Sequence, residues 1–187
     1  YKDKIRILMA SGDVPDIYFS WAGEFSWKFA RAGQALDLTD AVMNRDWKDK
    51  IVLAAVEPFK NDGKIYGVPM RINAKFMVYN KAIFEQYGLT APTTWDEFLA
   101  VCETLKTNGV VPIAFGNEFP WASAHYVGDF NAKLVDPTVL KADYLLTADA
   151  DKLFTDPGYV EALTRFQTLA TNGYFNDGSN GISHSNA

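Results

Sequence analysis

Cysteine is nearly missing from this 187-residue sequence: Cys102 stands alone, so an intramolecular bridge and a disulfide-stapled scaffold are excluded. That scarcity suits the cytosol, or an exported protein that folds without bridges, and leaves the compartment open. Imidazole is scarce as well. With only His125 and His184, a zinc site or a Cys/His nucleophilic pair has too few groups to draw on, and no metal or cofactor is expected. The longest wholly apolar run, residues 51–56, is far shorter than the ~20 residues a bilayer-crossing helix needs. Basic clusters are lacking too. The formal net charge is −5, and Lys48 and Lys50 alternate with Asp46 and Asp49 as on a solvated helix face. Phosphate backbones require a cationic surface, so nucleic acid is not an expected partner.

Several reaction motifs are absent. There is no Gly-x-Gly-x-x-Gly and no phosphate-cradling Gly-Lys-Ser/Thr. Gly178-Ser179-Asn180-Gly181 is one residue short of a nucleophile elbow and lies in a loop. The Asp149-x-Asp151 stretch carries Phe154 where a calcium loop needs glycine, so it reads as a loop before the last helix. What is present is apolar mass: 48% hydrophobic against 22% charged residues, enough to offset the entropy of ordering and to exclude a disordered chain. Aromatics reach 14%, with 5 Trp and 9 Tyr, the residues that favour flat contact surfaces. The length suggests one domain of roughly 150 residues with some left over.

Along the chain, residues 1–10 have helical spacing with Ile5, Leu8 and Met9 apolar, read as the tail of a helix that starts upstream. Residues 16–20 read as a buried strand, 21–32 as a helix stopped by Gly33, and further helices begin near Leu38 or Thr39 and cover 47–56, ended by Pro58. Asn61-Asp62-Gly63 is a turn signal. Residues 72–79 are the longest strand candidate, and 81–87 a short helix closed by Gly88. Thr94 with Glu97 three residues on predicts a capping box, opening a helix with Phe98, Val101, Cys102 and Leu105 as its apolar stripe and Asn108-Gly109 as its stop. Residues 110–115 read as a strand and 121–134 as a helix. Asp156-Pro157 opens a last helix with Val160, Leu163, Phe166 and Leu169 inward. Strands separated by helices predict an α/β chain. Residues 176–187 are polar loop. Both ends look cut, with a natural polar tail as the alternative at the far end.

Four stretches then belong together: Ala10-Ser-Gly-Asp-Val-Pro-Asp-Ile-Tyr-Phe-Ser-Trp21, Asp62-Gly-Lys-Ile-Tyr-Gly-Val-Pro69, Met77-Val-Tyr-Asn-Lys-Ala-Ile-Phe84, and Gly88-Leu-x-Ala-Pro-x-Thr-Trp-Asp-Glu-Phe98. In order and spacing they resemble the sugar-binding members of the extracellular solute-binding proteins of ABC importers, the family that includes maltose-binding protein. The resemblance covers residues 10–116; residues 117–187 carry no diagnostic motif. It implies a periplasmic-binding-protein-like (type II) α/β fold of two lobes, incomplete at both ends. Residues 1–71 would be a partial first lobe, 72–79 an inter-lobe crossing strand, and 80–187 a partial second lobe. The family's chains are longer and return to the first lobe, so this stretch alone is expected to be poorly stable and weak in binding.

The resemblance also implies a function and a site. The expected role is a periplasmic or extracellular receptor that captures a mono- or oligosaccharide between the lobes and delivers it to permease subunits. It would be monomeric at full length, and tethered to a membrane only through a lipid anchor outside this sequence. A pyranose offers an apolar C–H face and a rim of hydroxyls, so aromatic platforms with planar polar side chains suit it. Trp21 follows the first predicted strand at its carboxyl end, where open α/β sheets bind ligands, with Glu24 about one helical turn along. The alternative buries Trp21 beneath the next helix. Asp13 sits on the Gly-Asp loop beside that strand. Arg71 and Asn73 flank the start of the crossing strand, with hinge stabilisation the alternative for Arg71. On the second lobe Asn117, Glu118 and Trp121 occupy the equivalent place, Trp121 being a second platform or else core; His125 and Tyr126 are weaker candidates. Trp27 reads as core, and Trp47 and Trp95 as packing at helix starts. The competing class is a carbohydrate-active enzyme with Glu118 and Asp129 as its carboxylate pair, although nothing in the sequence fixes their separation.

Overall fold

The computed structural model describes residues 1–45 and 47–187 as two compact units, Tyr1–Met77 and Val78–Ala187. Asp46, one of the alternating charges noted above, lies outside the described residues. The first unit carries α1 (Lys2–Ser11), α2 (Glu24–Arg31), α3 (Thr39–Met43), α4 (Leu53–Val56) and the two short strands β1 (Lys60–Asn61) and β2 (Lys64–Ile65). The second carries α5 (Lys81–Gln86), α6 (Trp95–Thr107), α7 (Trp121–Leu134), α8 (Pro137–Tyr144) and α9 (Pro157–Thr171).

In the first unit, Ile5 and Met9 lie one turn apart on α1 and pack on Phe29 of α2, with Tyr18 and Phe25 beside them. Helix α2 begins at Glu24, three residues later than its apolar pattern suggests, because Gly23 takes φ 75° ahead of it. Its end is a Schellman turn: Gly33 adopts φ 69°, its N–H reaches the Ala30 carbonyl at 3.0 Å, and Gln34 N–H reaches the Phe29 carbonyl at 2.9 Å. The Gln34 amide then donates to the Met9 carbonyl at 2.6 Å, fastening α2 to α1. A second cluster gathers Val42, Val56 and Ile65, bringing α3, α4 and β2 together. Asp62 and Gly63, both at positive φ (49° and 74°), make the two-residue turn between the antiparallel strands. The helix expected over 47–56 is shorter. Only Leu53–Val56 is α-helical, and Pro58 sits inside the 3₁₀ turn Glu57–Phe59 that continues it.

In the second unit the predicted capping box is present: Glu97 N–H donates to Thr94 Oγ1 at 3.2 Å, and Thr94 N–H donates to Glu97 Oε2 at 3.2 Å. Gly109 at φ 74° closes α6, with Val110 N–H on the Leu105 carbonyl at 3.0 Å. Cys102 is buried with Leu169 and Tyr174, in a cluster that joins α6 to α9. Helix α8 has no counterpart in the sequence reading, although Asp136-Pro137 carries the same signature as Asp156-Pro157. Both aspartates accept from the N–H groups of the turn they open.

The inward face of α9 differs from the expectation. Tyr159, Ala162 and Leu169 are buried, whereas Val160 and Leu163 are 68% and 56% exposed. Gly158 sets that rotation, since a Cβ there would stand 2.4 Å from the Leu134 carbonyl oxygen at the end of α7. A backbone approach that close overrides the hydrophobic count.

The predicted strands 16–20, 72–79 and 110–115 do not form ladders among the described residues. Ile113 makes a single parallel bridge to Phe175, and its N–H reaches the Tyr174 carbonyl at 3.0 Å. Ile17 is 91% exposed and Phe76 81% exposed. Sequence alternation favours an extended backbone, but a strand exists only beside a neighbour that accepts and donates its hydrogen bonds.

Candidate functional site

In the first unit Trp21 is 41% exposed and braced by other rings. Phe19 and Phe25 meet it edge-to-face at 5.0 and 5.2 Å between centroids, and Tyr1 leans on it at 6.1 Å. The Lys2 ammonium lies over the indole at 4.5 Å. Glu24, on the first turn of α2, holds the Arg31 guanidinium, and that contact raises the arginine's pKa further. Asp13 is exposed on the loop that leaves α1 through Gly12, at φ 80°. Arg71 and Asn73 are exposed on a stretch that forms neither helix nor strand. The unit thus offers a ringed, half-open indole as its one preorganised contact surface among these candidates.

In the second unit residues 113–118 run beside 174–182. Phe115 N–H donates to Asn176 Oδ1 at 2.6 Å, Asn117 N–H to the Ser179 carbonyl at 2.8 Å, and Glu118 N–H to the Ile182 carbonyl at 3.0 Å. The Asn117 side chain is committed at both ends. Its Nδ2 donates to Asn180 Oδ1 at 2.8 Å, and its Oδ1 accepts from Ser123 N–H and Oγ at 3.2 and 2.6 Å. It therefore satisfies an otherwise orphan donor in the first turn of α7, whose own N-cap, Pro120, has no side chain to offer. Glu118 is exposed, and Trp121 is 43% exposed at the head of α7. His125 and His184 stand edge-on to Trp121 at 5.3 and 5.0 Å, so both imidazoles of the sequence flank one indole.

His184 and the Ser179–Gly181 turn are the contributors that sequence reasoning missed. The one sequence signal for them is the polar Gly178-Ser179-Asn180-Gly181 run, which carries no binding motif. Tyr126 belongs to an aromatic cluster with Phe115, Phe166 and Phe175, and burial pushes its phenol upward. Trp27 is partly buried, with its Nε1 unpartnered among the described residues. Trp95 packs on Phe98 and Phe130. Asp129 is held by Lys133 at 2.7 Å along α7. A hollow of about 210 Å³ beside α6 and one of about 400 Å³ beside α8 are lined by none of the candidate residues. No group of metal-ligating side chains occurs among the described residues.

Each unit thus carries one half-exposed tryptophan among the candidate residues, Trp21 in the first and Trp121 in the second. The chain belongs to the bacterial extracellular solute-binding proteins, whose family model matches residues 1–187. Its fold is the α/β type II fold of periplasmic solute-binding proteins. A multiple sugar-binding protein of Streptococcus mutans is 30% identical over 124 residues, 66% of this chain and 28% of that protein. A probable sugar-binding periplasmic protein of Rhizobium meliloti is 35% identical over 98 residues, 51% of this chain and 23% of that one. Among solved structures, one from work on xylan utilisation by Caldanaerobius polysaccharolyticus superposes with a TM-score of 0.82 at 28% identity, over 99% of this chain and 46% of its own. A chitin oligosaccharide binding protein gives 0.79 at 27% identity, over 98% and 45%. The chain thus spans about half the length of these solved relatives and under a third of the curated ones. The family is one of solute-binding proteins, and nothing in it supports an enzyme built on Glu118 and Asp129.

Proposed function

We propose that the chain is part of the extracytoplasmic receptor of an ABC sugar importer, which captures a mono- or oligosaccharide in a cleft between two lobes and hands it to permease subunits. The observation that carries this reading is the match of the whole chain to an extracellular solute-binding family, alongside relatives named for sugars. The receptor works in the periplasm or outside the cell, as a monomer, with any lipid tether outside this chain.

Residues 72–79 cross between the lobes, with 1–71 and 80–187 belonging to one lobe each. Trp21 and Trp121 stack against the apolar faces of the pyranose rings. Asp13, Glu24, Arg71, Asn73 and Glu118 meet hydroxyls, and Asn117 acts chiefly by holding the start of α7 beside Trp121. Contacts from both lobes favour the closed state, which couples capture to delivery.

Titration of the protein with a panel of neutral and acidic oligosaccharides, followed by tryptophan fluorescence, is the test. Saturable change with at least one sugar is expected, and Trp121→Ala weakens that sugar by about tenfold, the worth of one aromatic contact. No response to any sugar from the full-length receptor that contains this chain, or chromatographic release of a shorter product, would overturn the reading.

A further inference from the structure

The cations around Trp21 carry information about the ligand that the tryptophan alone does not. Lys2 holds its ammonium 4.5 Å above the Trp21 ring. Lys28 places its own 4.5 Å from the Phe25 centroid and 4.8 Å from that of Phe29, and Arg6 stands 5.6 Å over Phe25. Phe25 is the ring that meets Trp21 edge-to-face at 5.2 Å, so three cations crown one continuous aromatic surface.

Two acids of these helices already have cationic partners. Glu24 is taken by Arg31, and Asp3 lies 3.6 Å from Arg6. Lys2 and Lys28, by contrast, have no carboxylate within ion-pair distance among the described residues. The whole chain carries a formal charge of −5, so a surface with two uncompensated ammonium groups runs against the molecule's overall sign.

The position of Lys2 matters most. A neutral pyranose stacking on the face that the ammonium covers has to displace it and gains nothing in return. A sugar bearing a carboxylate displaces it as well, but then offers the ammonium a charge-assisted partner at the rim of the stacked ring. The geometry points to an acidic sugar, a uronic acid or an oligosaccharide that carries one, with Trp21 as platform and Lys2 as the carboxylate's partner. This rests on the receptor reading above and narrows its substrate class.

The test uses two matched panels on the full-length receptor that contains this chain, by isothermal titration calorimetry: neutral di- to tetrasaccharides of galactose, glucose and xylose, and di- to tetra-galacturonates and -glucuronates. Oligouronides are expected to bind about tenfold more tightly than their neutral counterparts at low salt, with the gap closing as sodium chloride screens the contact. Lys2→Gln, an exposed substitution whose folding is checked by circular dichroism, is expected to abolish that preference. Neutral sugars binding as tightly as uronides, or a preference that survives both salt and Lys2→Gln, would overturn the inference and leave the receptor reading standing. Binding of neither panel would overturn both.

Discussion

Asp143 shows how much one buried side chain can ask of its neighbours. It is 1% exposed, its Oδ2 accepts from the Tyr159 hydroxyl at 2.6 Å, and its Oδ1 has no partner among the described residues. The same burial, followed by the carboxylate's hydrogen bond, pushes the Tyr159 phenol upward, so it stays a donor throughout the working pH range. Tyr159→Phe removes that single donor and leaves the carboxyl group wholly unpaired between α8 and α9. The expected cost is about 1–3 kcal/mol, seen as a lower urea midpoint with an unchanged slope. An unaltered midpoint would mean that Asp143 finds another donor. Cys102 is the quiet counterpart: burial alone pushes its thiol up to about 11, the behaviour of a small core residue rather than a nucleophile.

At the scale of the element, α6 was the most legible part of the chain, because Thr94 and Glu97 act through the local backbone and need nothing distant. Glu97 also accepts from Thr93 N–H at 2.7 Å and from Thr93 Oγ1 at 2.8 Å, and these bonds, with that from Thr94, hold its carboxyl below the usual range. A depressed carboxylate contributes stability that is complete above its unfolded pKa and is lost as the pH falls through its folded one. Glu97→Gln is therefore expected to lower the melting temperature at neutral pH, with the difference from wild type shrinking on acidification below about pH 4. Melting curves across pH 3–7 check this, and a constant difference would show that the effect is not the charge. The inward face of α9 was not legible for the opposite reason. Val160 and Leu163 fit the apolar period, yet Gly158 lets α9 approach the Leu134 carbonyl and turns those two side chains outward. Helical period marks a face; the contact decides which neighbour sees it.

Over the whole molecule, two compact units meet in sequence between Met77 and Val78, inside a stretch without helix or strand that is exposed throughout residues 70–80. No backbone ladder protects that stretch among the described residues, and Arg71 is exposed within it. Limited trypsin treatment is expected to cut after Arg71 before it cuts the arginine and lysine sites within α6 and α9, as mass spectrometry of the first products would read. Early cleavage inside those helices would contradict the division. The candidate residues were legible from sequence only as candidates. Trp21 and Trp121 were proposed because each follows a stretch read as a strand; the structure gives both as half-exposed rings but makes neither stretch a ladder strand among the described residues. The role of Asn117 in holding Ser123 and Asn180 was not visible, since its partners are brought near by the return of residues 174–182.

By itself the sequence determined the helices with local stop and start signals, the Asp62-Gly63 turn and the family, because caps, glycine conformation and motif order are properties of neighbouring residues. Only the tertiary structure decided which expected strands find partners, how α9 is rotated, and which cations lie on the Trp21 and Phe25 rings. Those depend on groups far apart in the chain, and spacing along a sequence cannot fix a distance across space.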